Sequence, residues 1–155
     1  PDLDYALVRL DSNPSVQFGY LTLRTTSTSV GETIYLPQHP GGWGKQIALY
    51  STHPADPTGY PQIQTVWPDS VRFMADIFYG TSGSPVLSRN DHCVIALQYG
   101  TLGCESTNPH DPFIGNLGIR ANLIVSDLGI DLPANAAANA GYCLTGDTIF
   151  GHGFE

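Results

Sequence analysis

The heptapeptide Gly80-Thr81-Ser82-Gly83-Ser84-Pro85-Val86 decides how this chain is read. It lies between the apolar segment VRFMADIF and the strand-like PVLS, so it must be a turn joining two extended elements. Glycines at 80 and 83 let the backbone bend on both sides of Ser82, so that the hydroxyl projects and the amides of Gly80 and Ser82 converge. A serine nucleophile needs this local geometry. Its hydroxyl attacks only when a base takes the proton, and the oxyanion that forms must be met by backbone donors. Seven residues alone are also compatible with an ordinary Gly-Ser turn.

Outward from this turn the chain reads as short strands. TIYL and KQIAL form a hairpin around a Pro-Gly-Gly tip, and IQTVWP and VRFMADIF continue the series. PVLSRNDHCVIALQYG gives two strands around the polar RNDH turn. Near the start, DYALVRL reads as a strand, DSNPS as a break and FGYLTLRT as a second strand of period two. TLGCESTNPHDPFIGN is a long loop, and NLGIRANLIVSDLGI holds a last strand and the only plausible helix. Asn135 to Ala140 is a small low-complexity tract to which no structure is assigned. No internal repeat is present.

Composition narrows the function classes. With 17 Gly and 12 Pro in 155 residues, the chain interrupts its own segments too often for long helices. A net charge of -8 opposes phosphate backbones and anionic lipid, which disfavours a nucleic-acid or membrane-surface role. The start, PDLDYALVRL, opens directly in a strand-like pattern, so Pro1 is read as a cut site. Cys93, Cys104 and Cys143 fit no metal spacing, and their odd count points to an oxidising compartment with one sulfur paired elsewhere. Cys93 and Cys104 flank VIALQYG closely enough for a hairpin to bring them together, a pairing that geometry permits without requiring.

The Ser82 turn resembles the nucleophile loop of chymotrypsin-fold serine endopeptidases, in the G-x-S-G-S-P form of the branch with bacterial glutamyl and lysyl endopeptidases. Asp4-Tyr5-Ala6-Leu7-Val8 resembles the strand on which that family carries its triad aspartate. Gln38-His39-Pro40-Gly41-Gly42 and Val94 to Gly100 are also similar, so the likeness runs from residue 2 to about residue 128. It implies an all-β, two-barrel fold of which this chain gives the end of barrel 1, all of barrel 2 and a short C-terminal helix plus tail. Residues 1–130 would be the peptidase domain and 131–155 a tail packed on it or extending from it. It further implies that Ser82 attacks the scissile carbonyl, that Asp4 orients a histidine, and that the Gly80 and Ser82 amides hold the oxyanion. Neither metal nor organic cofactor is needed.

The family orders its triad His, Asp, Ser, and only three residues precede Asp4. The resemblance therefore implies a secreted, processed two-chain enzyme, with the N-terminal barrel and its histidine on a second chain. His39, His53, His92, His110 and His152 all follow Asp4 and are read as structural or solvated. An α/β-hydrolase could use His152 but wants G-x-S-x-G and helices between strands, and Ser84 replaces the last glycine. The other competing class is a protease-fold binding module that has lost its histidine. Asp76, six residues before Ser82, holds the offset of the trypsin-like pocket-floor aspartate and would select P1 Lys or Arg. Gln98, Tyr99 and Gly100 are the further substrate-binding candidates; Gln98 stands where glutamyl and lysyl relatives often carry histidine, and Asp111 is a second candidate carboxylate. For the cysteines, the resemblance implies Cys104 bonded to the second chain, leaving Cys93 for Cys143.

Overall fold

The computed structural model of the chain describes residues 3–103, 114–133, 135–141 and 143. Nine strands dominate it: β1 (Leu23–Arg24), β2 (Ile34–Gln38), β3 (Gln46–Ala48), β4 (Ile63–Val66), β5 (Ser70–Phe73), β6 (Pro85–Ser88), β7 (Val94–Leu102), β8 (Gly115–Arg120) and β9 (Ala137–Ala138). Two α-helical segments accompany them, α1 (Ser15–Phe18) and α2 (Ala121–Leu128). The main sheet runs β3-β2-β6-β7-β8-β5-β4, and every neighbouring pair is antiparallel. Ile34 N donates to the Pro61 carbonyl at 2.9 Å and Ile63 N to that of Glu32 at 3.0 Å. With the Thr33–Gln62 bridge, these bonds bring the start of β2 back to β4, so the sheet curls round on itself.

The period-two pattern explains which face turns inward. In β2, Ile34, Leu36 and Gln38 are buried while Tyr35 and Pro37 are partly exposed. Ile34, Leu36, Ile63, Val71, Phe73, Val86 and Ile95 fill the core, each large aliphatic or aromatic side chain contributing about 1.5–3 kcal/mol by leaving water. Gly118 of β8 sits where an added Cβ would come within 2.9 Å of the Ala96 side chain, so these central strands approach as closely as they do only with glycine there. α2 packs across β1, β7 and β8.

Two expectations for the ends of the chain need correction. Residues 3–10 carry the apolar alternation of a strand but form none, and Leu7, Val8 and Leu10 stay 57%, 71% and 61% exposed. A strand exists only where a neighbouring edge supplies hydrogen bonds, and the described residues offer none there. FGYLTLRT shrinks for the same reason to the two residues of β1, preceded by the single turn of α1. At the other end, the low-complexity tract forms β9, parallel to β1 with Leu23 opposite Ala137 and Arg24 opposite Ala138. Small side chains and an available edge suffice.

The tail is fixed covalently as well. Cys93 and Cys143 form a disulfide with Cα atoms 5.3 Å apart, the pairing implied by the resemblance; Cys104 lies outside the described residues. Asp91 joins the two ends of this bridge, its carboxylate accepting from Cys93 N at 3.0 Å and from Gly141 N at 2.9 Å. Beside it lies a buried charge cluster. Arg24 bonds Glu32 through both guanidinium nitrogens, at 2.6 and 2.7 Å, and lies 3.6 Å from Asp91.

Burial alone would raise the Glu32 carboxyl. Hydrogen bonds from Arg24, Thr28 and Ser88, with the Arg24 charge, outweigh it and lower the carboxyl to about 2. A depressed folded-state value means that this pair stabilises the fold above the ordinary carboxylate range, and that the contribution disappears as pH falls from 4.5 toward about 2. Glu32→Ala should therefore cost up to about 3–5 kcal/mol near neutral pH by leaving Arg24 buried with the 3.6 Å contact to Asp91 as its remaining carboxylate partner. In thermal unfolding at graded pH, the gap between wild type and variant should narrow across that acid window; a pH-independent gap would contradict the ion-pair assignment.

Candidate active site

Ser82 stands exposed on the turn between β5 and β6. Gly80 and Gly83 take φ values of 92° and 85°, the left-handed region open to glycine, and so make the bend on both sides of Ser82. A Cβ at Gly80 would lie in van der Waals contact with the neighbouring turn, 3.4 Å from the His39 carbonyl oxygen and 3.5 Å from Gly41 N. The 39–42 turn thus backs the serine turn, and Gly41 N donates to the Tyr79 carbonyl at 2.6 Å.

The exit of the turn is pinned to β7. Gly83 N donates to the Gln98 carbonyl at 2.7 Å, Gln98 N donates to that of Ser84 at 3.0 Å, and Ser84 N closes back on Thr81 O at 2.9 Å. Among the described residues, neither Gly80 N nor Ser82 N donates a backbone hydrogen bond. Two unengaged amides at a serine turn are the donor set that an oxyanion needs. The entrance is held by Gln38, buried at the end of β2. Its Nε2 donates to the Asp76 carbonyl at 2.8 Å, and its Oε1 lies 2.8 Å from Thr81 Oγ1. The Phe78 carbonyl is 2.7 Å from the same hydroxyl, whose single proton serves one acceptor at a time.

A cleft of about 410 Å³ opens beside Ser82. Gly80 and Ser82 contribute from the turn, Gln98, Tyr99 and Gly100 from β7, and Asn116 from β8. The structure thus gathers five of the expected site residues around one cavity. The register against β8 moves from Gln98–Gly118 to Gly100–Leu117, which makes Tyr99 the extra residue of a bulge at the cleft wall.

Asp76 is not among them. It is exposed and lines the neighbouring hollow with His53 and Met74, so it does not form the buried carboxylate floor expected from its offset to Ser82. Asp4 is likewise exposed and outside the cleft, although the adjacent Tyr5 hydroxyl donates to the Asp127 carboxylate. His39 lines a second hollow with Lys45 and Ser82, with its Nδ1 3.2 Å from the Trp43 carbonyl. His53 Nδ1 accepts from Ala55 N at 3.1 Å, and His92 Nδ1 lies 2.7 Å from the Tyr35 hydroxyl. His110, Asp111 and His152 fall outside the described residues.

Sequence reasoning missed Asn116, which lies between the cleft and the hollow of Asp76 and lines both. It missed also the aromatic wall in which Trp43 stacks on Phe78, with ring centroids 6.5 Å apart, and Phe78 meets Tyr79 edge-on at 5.3 Å. No local motif marks Asn116. Three exposed aromatics flanking a Gly-rich turn were a usable signal for the wall. Among the described residues, no group of His, Cys, Asp or Glu gathers as a metal site.

Residues 1–97 match the trypsin-like peptidase domain, well over half of the chain, and the protein belongs to that family. A secreted RxLR effector protein, number 73 of Plasmopara viticola, is 41% identical over 137 residues. The match covers 86% of this chain but only 31% of that relative, so the chain spans about a third of its length. Among solved structures, a Glu endopeptidase in complex with MPD superposes with a TM-score of 0.52 at 19% identity, over 76% of this chain and 48% of that one. The shared architecture is the all-β, chymotrypsin-like barrel fold.

Gln38 makes the turn geometry testable without any substrate. Gln38→Leu removes the partner of the Asp76 carbonyl and one acceptor for Thr81, a loss of about 1–3 kcal/mol. Hydrogen exchange should accelerate selectively over residues 76–84; uniform acceleration across the barrel would mean that Gln38 braces the whole core instead.

Proposed function

We propose that this chain is part of a secreted serine endopeptidase that hydrolyses peptide bonds through an acyl-enzyme on Ser82. The observation that carries this reading is the pair of unengaged amides, Gly80 N and Ser82 N, at an exposed serine on the rim of a cleft. In the first step the Ser82 oxygen attacks the scissile carbonyl, a base takes the hydroxyl proton, and the two amides receive the negative oxygen. The proton then passes to the leaving amine, and water repeats the sequence to free the acyl group.

The base in this proposal is a histidine on a second polypeptide that carries the first barrel, oriented by Asp4 once that partner is seated. The exposed apolar side chains of Leu7, Val8 and Leu10, a few residues beyond Asp4, support the idea that residues 3–10 gain an edge from such a partner. Secretion is supported by the likeness to a secreted effector of Plasmopara viticola and by the Cys93–Cys143 bridge. A preference for P1 Lys or Arg loses its main support with Asp76 outside the cleft.

A fluorophosphonate should label Ser82 in the native protein, because such reagents need an activated hydroxyl beside an oxyanion hole. Ser82→Ala should leave the fold intact and lower kcat by about 10⁴- to 10⁶-fold. If peptide mapping finds Ser82 unmodified while a control protease is labelled, the protein is instead a protease-fold binding module. Non-reducing electrophoresis tests the partner: a species larger than this chain's 16.6 kDa that collapses on reduction is expected if Cys104 joins the two chains. Free migration of this chain without reductant rules out that bond.

A further inference from the structure

The cleft beside Ser82 contains a buried acceptor that the mechanism does not use. Gln98 is 3% exposed, and its Nε2 donates to the Gly100 carbonyl at 2.8 Å. This bond fixes the orientation of the amide. Turned the other way, Gln98 would set its own oxygen against the Gly100 oxygen. Oε1 therefore has its identity settled, and it is buried with no hydrogen-bond partner among the described residues. A buried unsatisfied acceptor costs about 1–3 kcal/mol, and of the described residues that carry such an unpartnered buried atom, Gln98 alone lines the cleft beside Ser82.

The rest of the lining says which ligand would satisfy it. None of the described residues around the cleft is charged. An ammonium, guanidinium or carboxylate entering it would be stripped of water without a counter-ion, a cost of several kcal/mol per ion. A neutral donor carries no such penalty. On the adjoining strand β8, Asn116 donates one of its amide hydrogens to the Ala75 carbonyl at 2.8 Å, and its second makes no hydrogen bond recorded among the described residues. An orphaned acceptor on Gln98 and a spare donor on Asn116 form the complement of a primary amide.

We propose that this cleft binds an uncharged, amide-bearing P1 side chain, glutamine or asparagine, with Gln98 Oε1 accepting from its NH₂ group. The proposal rests on the serine-endopeptidase reading of Ser82 and assigns the specificity of that site. Gln98 becomes the residue that sets selectivity through a hydrogen bond, in place of the charge pair that Asp76 would have supplied.

The test is a set of fluorogenic peptides identical except for P1 Gln, Leu, Glu or Arg, assayed on the native protein with any chain that accompanies it. Fluorophosphonate labelling of Ser82 is measured in the same preparation. P1 Gln should exceed each of the other three in kcat/KM by about 10- to 100-fold, the range of one hydrogen bond gained or left unmade. Gln98→Leu should erase the ratio between P1 Gln and P1 Leu, and Gln98→Glu should move the preference toward P1 Arg. If Ser82 is labelled yet Leu, Glu or Arg is favoured by the wild-type protein, the specificity proposal is overturned and the endopeptidase reading stands. Absence of both labelling and cleavage overturns the two together.

Discussion

Everything at the candidate site hangs on two backbone hydrogen bonds across the sheet. Gln98 accepts from Gly83 and donates to Ser84, so the exit of the serine turn is stitched to β7, the strand that also walls the cleft. The entrance is tied to β2 through Gln38. With both shoulders held by the barrel, Ser82 needs no strain of its own to project, and the amides of Gly80 and Ser82 are kept from finding partners within the turn. Preorganised donors of this kind are effective because they need no reorganisation when charge develops.

The central strands and the serine turn were legible because their information is local. TIYL, read as one strand of a hairpin, is β2, and the glycines read as bending the chain around Ser82 both adopt positive φ. The hairpin around Pro-Gly-Gly is likewise present, with β2 and β3 paired from Leu36–Ala48 to Gln38–Gln46. Other parts depended on neighbours that a one-dimensional pattern does not name. DYALVRL has the composition of a strand but no adjacent edge among the described residues, whereas the Ala-rich tract, which lacks strand composition, has the edge of β1 and pairs with it. Backbone hydrogen bonding overrode side-chain propensity in both cases.

Asp76 and Asn116 illustrate the same limit at the site. An offset of six residues from Ser82 fixes how far Asp76 lies along the chain but not which side of the wall it occupies, and the structure places it in the adjoining hollow. Asn116 lies two strands beyond Ser82 in the chain, after β6 and β7, and only the pairing of β8 with β7 and β5 brings it to the cleft. Its neighbour in space, Gln98, was legible as a site residue, while the unmatched oxygen that gives it chemical meaning belongs to the packing alone.

The Cys93–Cys143 bridge has a consequence for the durability of the molecule. Its two sulfurs enclose β7, β8, α2 and β9 within one covalent ring. A single peptide bond severed anywhere between those cysteines leaves two fragments that remain joined, each still paired through the sheet with the other. A protein exposed to proteases can thus be nicked over about a third of its length without shedding a piece, and its electrophoretic integrity persists until the bridge is reduced.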